Sequence, residues 1–151
     1  MKNKMFAIAV SAFLSAGFVA EAMAQSPAAQ VRQRQAAMVL IGKYMGQMGP
    51  MALGKTPYNA AAFASAAANM EVLSKMPWDG FNPATQGEKS RTLPEAYSDA
   101  AKFKQAADNF TAEATKVAAA TRGGNEQTVK AAWGELNKSC AACHDSFRAR
   151  Q

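Results

Sequence analysis

Cysteine and histidine are nearly missing from this chain: its 151 residues hold two of the first and one of the second. A zinc finger, which draws four ligands from one chain, is excluded, and so is a framework of several disulfides. Nowhere do apolar and polar residues alternate over the length of a strand, and no internal repeat recurs, so neither sheets nor solenoids are expected. What is present suits one globular domain with at most one processing segment: 49% hydrophobic, 19% charged and 9% aromatic residues. A formal charge of +6 and a pI near 9.5 leave nucleic acid and anionic membranes open as partners. The basic residues at 43, 55, 75, 89, 91, 102, 104, 116, 130, 138 and 148 are scattered, with no cluster interleaved with aromatics, which argues against nucleic acid.

Residues 1–24 have the order of an export signal. Lys2 and Lys4 precede a run from Met5 to Ala20 that only Ser11, Ser15 and Gly17 interrupt, and Ala22-Met23-Ala24 puts small side chains at a cleavage position. A transmembrane anchor is the competing reading, but the run of about 16 residues falls short of the roughly 20 that a bilayer needs. Cleavage after Ala24 leaves residues 25–151 as one domain with fifteen basic and ten acidic side chains, a charge of +5. The expected destination is the periplasm, without membrane attachment once the signal is gone. Two free thiols there would tend to pair unless other chemistry consumed them.

Val31, Met38, Ile41, Met45 and Met48 recur at helical intervals between Gln30 and Met48, and Gly49-Pro50 predicts the end of that helix. Thr56-Pro57 has the form of a cap before a first-turn proline, so a second helix is expected from Pro57 to Lys75, with Phe63, Ala67, Met70 and Leu73 on one face. From Pro77 to Thr92 no period survives, and a long loop is expected, of a length more often functional than incidental. Thr92-Leu93-Pro94-Glu95 reads as a capping box that opens a third helix. Its seam is Ala96, Ala100, Phe103, Ala107, Phe110, Ala114 and Val117, and Arg122-Gly123-Gly124 stops it. Asn125 is placed to cap a fourth helix with the seam Val129, Trp133, Leu136, Cys140, Cys143 and Phe147. Four amphipathic helices with one long crossover loop predict an all-α fold, an antiparallel four-helix bundle.

Cys140-Ala141-Ala142-Cys143-His144 carries the chemistry. Cysteines three apart on a helix share a face, so their sulfurs can add to the two vinyl groups along one porphyrin edge, and a histidine four beyond the first can bind the iron from that side. This is the attachment sequence of c-type haem, one covalent group per chain, and thioether formation would take both sulfurs out of disulfide chemistry. Competing readings are weaker. A thioredoxin-like pair expects strands and a place at a helix start, a disulfide across four helical residues has poor geometry, and two thiolates with one imidazole lack a fourth metal ligand.

With that motif near its C-terminus, the exported chain resembles cytochrome c′, the high-spin branch of the class II c-type cytochromes, over essentially the whole mature length. Arg34-Gln35-Ala36-Ala37-Met38, ahead of Lys43-Tyr44-Met45-Gly46, looks like the family's first-helix signature. Pro77-Trp78-Asp79-Gly80-Phe81 resembles the loop after its second helix, and His144-Asp145-Ser146-Phe147-Arg148 its ending. Gln86-Gly87-Glu88-Lys89 departs from it, being more polar and basic than the family's glycine-rich, acidic version. The resemblance implies haem contacts at Arg34, Gln35, Met38 and Thr85, thioethers at Cys140 and Cys143, and iron ligation by His144. It also implies a homodimer, with which the alanine-rich faces of the first two helices agree.

Only seven residues follow His144, so a methionine at the sixth iron position would have to come from upstream. The resemblance puts Met38 there as an apolar guard over five-coordinate iron. The alternative is a low-spin class II cytochrome in which Met38 is the distal ligand, a simple electron carrier. The five-coordinate reading implies binding of nitric oxide and carbon monoxide, electron transfer with an unidentified redox partner, or both. No enzyme is expected, since no second histidine can serve as a distal acid or base.

Overall fold

The computed structural model describes residues 25–150, so the expected signal segment, residues 1–24, lies outside the described residues. Four long helices form the body: α1 (Pro27–Ala52), α2 (Ala60–Leu73), α4 (Ala100–Arg122) and α5 (Glu126–Phe147), with a single-turn α3 (Glu95–Ser98) ahead of α4. α1 packs on α2, α2 on α4, α4 on α5 and α5 on α1, which closes the antiparallel four-helix bundle. Met48, Phe63, Met70, Val117, Val129 and Leu136 are fully buried between the helices, and Ala66, Ala67 and Ala114 let the backbones approach closely.

Three boundaries differ from the sequence expectation. α1 runs through Gly49-Pro50 to Ala52. A residue before proline is pushed out of the helical region chiefly through its Cβ, and Gly49 has none. The same position faces Trp133, whose ring stands 3.3 Å from where a Cβ would sit. α2 begins three residues later than Thr56-Pro57 implied, because Asn59 Oδ1 accepts the Ala62 amide at 2.9 Å and is the cap. Thr92 caps nothing: after α3 the chain breaks at Asp99, whose carboxylate accepts the Lys102 amide and starts α4, and Ala100 lies exposed outside the buried seam. Asn125 caps α5 as expected, accepting the Thr128 amide at 2.9 Å.

The crossover between α2 and α3 is built from two 3-10 turns, Trp78–Gly80 and Pro83–Thr85. Its far end pairs with the C-terminus: the Leu93 amide donates to the Phe147 carbonyl at 2.9 Å and the Ala149 amide to the Arg91 carbonyl at 2.8 Å. This clasp holds residues 90–93 against the end of α5, beside His144.

Candidate functional site

A cavity of about 740 Å³ opens between α1, the crossover loop, α4 and the last three turns of α5. That volume suits a large prosthetic group. Its α5 wall presents Asn137, Cys140, Ala141, Cys143, His144, Phe147 and Arg148. The cysteines are free and partly buried, one turn apart on one face. Burial is the main cause that pushes the Cys140 thiol up to about 11, with the neighbouring Cys143 adding to it, and burial raises Cys143 too. His144 moves the other way. Burial first, then the positive charges of Arg148 and Arg91, hold its imidazole below the usual range against the opposing pull of Asp145. The neutral imidazole so favoured is the form that binds metal.

The facing wall is α1, which contributes Arg34, Gln35, Met38, Val39, Ile41, Gly42 and Met45. Met38 faces the cavity, and so does Met45, seven residues on along the same helical seam. Trp78, Phe81, Phe103, Phe110 and Phe147 close the sides, with Phe81 to Phe103 at 4.8 Å and Phe103 to Phe147 at 5.2 Å between ring centroids. Trp133 lies in the core beneath Gly49, away from this wall.

Arg34 is the unusual residue. It is 3% exposed, yet its guanidinium has no carboxylate partner among the described residues. Nη1 donates to the Gly80 carbonyl, to Thr85 Oγ1 at 3.1 Å and to the Tyr97 hydroxyl at 3.1 Å, while Nη2 donates to Ser90 Oγ and Thr92 Oγ1, both at 3.2 Å. The Phe81 ring covers it at 4.1 Å. Neutral oxygens satisfy its protons and leave its charge uncompensated. Among the described residues no aspartate or glutamate lines the cavity, whereas Arg34, Arg91 and Arg148 do. An apolar, positively charged slot with a thiol pair and an imidazole on one wall fits a porphyrin that carries carboxylates.

Thr85, expected to contact haem, is placed away from the cavity wall. It is completely buried and stands behind Arg34 rather than on the cavity wall, with its hydroxyl also bonded to the Gly80 and Asn82 carbonyls at 3.0 and 2.9 Å. There it holds Arg34 and the turn together. Ser90, Arg91 and Thr92, which sequence reasoning did not single out for this site, line the wall instead. Helical periodicity could not have found them, because they sit on an irregular segment placed by the clasp with the C-terminus.

Residues 29–148 match the family described as Cytochrome C'. The chain is 40% identical over 125 residues to cytochrome c' of Rubrivivax gelatinosus, covering 82% of this chain and 97% of that one. It is 38% identical over 125 residues to cytochrome c' of Alcaligenes xylosoxydans xylosoxydans, covering 83% and 97%. The crystal structure of the Rubrivivax gelatinosus protein superposes with a TM-score of 0.79 at 40% identity, over 83% of this chain and 98% of that one. A nitric oxide complex of a mutant cytochrome c prime from Alcaligenes xylosoxidans superposes at 0.78 and 36% identity, over 85% and 99%. With this bundle, this cavity and a cysteine pair for covalent haem c, the chain belongs to the cytochrome c' family.

Proposed function

We propose that, freed of residues 1–24, the chain is a periplasmic gas-binding haem protein that also exchanges electrons. Cys140 and Cys143 hold the haem covalently, His144 is the one protein ligand to iron, Arg34 and Gln35 face its carboxylate side, and Met38 guards the opposite face. The haem supplies an iron that cycles between two oxidation states and leaves one position open to nitric oxide or carbon monoxide. The observation that carries this reading is the contrast between the two walls: thiols and imidazole on α5, aliphatic and thioether side chains on α1. Met38, Val39, Ile41 and Met45 offer no hydrogen to a bound ligand, which disfavours oxygen and suits neutral diatomic gases. Support for gas binding comes also from the relative solved with nitric oxide.

Arg148, next to the clasp, puts a positive charge near His144 and keeps it from imidazolate character, which weakens its push on the iron. The homodimer is part of the same proposal. Leu40 on α1 is 43% exposed and Val72 on α2 is 57% exposed, next to the small exposed residues Ala61, Ser65 and Ala68.

Absorption and electron paramagnetic resonance spectra of the purified ferric protein test the iron assignment. High-spin iron, unchanged in Met38→Ala but opened to larger exogenous ligands, is the expected result. A low-spin wild type with a thioether charge-transfer band, converted to high spin by Met38→Ala or Met45→Ala, would make it a six-coordinate electron carrier and identify which thioether binds.

A further inference from the structure

Resting on the gas-binding reading above, we propose that Gly42 is the port through which a small neutral ligand reaches the iron face guarded by Met38. Gly42 lies inside α1, lines the cavity and is exposed to solvent. Glycine is among the least favoured residues inside a helix, and nothing local calls for it here. Its φ is not positive, as those of Gly54 and Gly124 are, and a Cβ built on it would meet no atom within 4 Å. Gly49, two turns on, is the opposite case: there the Trp133 ring of α5 comes to 3.3 Å and presses on α1.

Long side chains on a helix lean toward its N-terminus, so a residue at 42 would cover the surface at 38 and 39, one turn back. With glycine there, that surface stays uncovered. Met38 and Val39 both line the cavity, and Val39 is 71% exposed. Gly46, one turn on, is as open as Gly42 and sends no side chain back over it. Across the cavity the α5 residues Asn137 and Ala141 are exposed too. The α1 wall is therefore thinnest at Gly42, beside the guard, where Met38, Val39 and Met45 border the gap without a charge. An apolar port suits a neutral diatomic, since an ion would have to shed its water to pass. Such a port acts on rates: closing it raises the barrier to entry and to escape by the same amount, so affinity stays where it was. A guard in contact with the bound ligand changes the affinity itself.

The test is stopped-flow mixing of the ferrous holoprotein with carbon monoxide and laser photolysis of the complex, for Gly42→Leu, Gly42→Ala and, as control, Gly134→Leu. Gly134 lies inside α5, has no atom within 4 Å of its Cβ position and does not line the cavity. Gly42→Leu should slow association and dissociation alike by about tenfold, an added barrier of about 1.4 kcal/mol. Affinity should be unchanged, and a larger fraction of the photolysed ligand should return before it escapes. Gly42→Ala should slow both steps less while raising the thermal midpoint, because alanine favours the helix. That second readout separates a closed port from a loosened helix. Gly134→Leu should keep the wild-type rates. Wild-type rates in the two Gly42 variants would overturn the port, and so would a loss of affinity that accounts for the slower association, or equal slowing in Gly134→Leu. A wild type that binds no carbon monoxide would overturn the gas-binding reading and the port together, whereas binding at rates indifferent to residue 42 removes the port alone.

Discussion

One guanidinium, Arg34, holds the crossover loop to α1 through five neutral acceptors. Replacing it with leucine strips those oxygens of their donor, and buried groups left unpaired cost about 1–3 kcal/mol each before any find new partners. Arg34→Leu should lower the stability of the holoprotein by about 3 kcal/mol, read as a fall in the guanidinium chloride midpoint at unchanged slope. Arg34→Lys should recover less than half of the loss, because three donors on a point charge cannot span what a planar fork reaches. Gly80 is coupled to the same contact. A Cβ there would meet the Gln30 carbonyl oxygen at 3.0 Å and Arg34 Cβ and Cδ at 3.1 and 3.2 Å. Gly80→Ala should therefore push the loop off α1 at a cost of about 1–3 kcal/mol, with a shifted haem absorption band as the second readout.

At the scale of the helix, caps decide where elements begin. Asn125→Ala should cost about 1 kcal/mol by removing the acceptor for the Thr128 amide. Asn125→Asp should match or exceed the wild type, since a carboxylate also favours the positive end of α5; thermal unfolding of the three proteins orders them. The ion pairs Lys104–Asp108 and Lys138–Glu135 lie on the exposed faces of α4 and α5 and add little to that ledger. Helix existence and the buried seams of α4 and α5 were legible in the sequence because a 3.6-residue period survives any detail of packing. Boundaries were less so. Pro50 stays in the helix where Gly49 precedes it under Trp133, and Thr92 gives its hydroxyl oxygen to Arg34 of another helix while capping nothing. Neither contact has a local signature.

For the molecule as a whole, the proposed dimer makes the sharpest prediction. Leu40→Glu with Val72→Glu puts like charges on exposed positions of α1 and α2. Sedimentation at micromolar concentration should give two chains for the wild type and one for the variant, with the haem spectrum unchanged. A wild type sedimenting as one chain would refute the dimer.

Composition, periodicity and one five-residue motif determined, without any coordinates, that this chain is helical, carries four long helices and attaches haem through Cys140 and Cys143. Those features depend on spacing along a single helix, where residues three and four apart meet whatever the rest of the chain does. Only the tertiary structure decided which residues surround the cavity opposite that motif. Met45, Ser90, Arg91 and Thr92 reach it from α1 and the crossover loop, while Thr85 withdraws behind Arg34. The reason is physical: contacts between segments distant in sequence are set by helix packing and by where a buried charge finds its oxygens, and neither leaves a period to read.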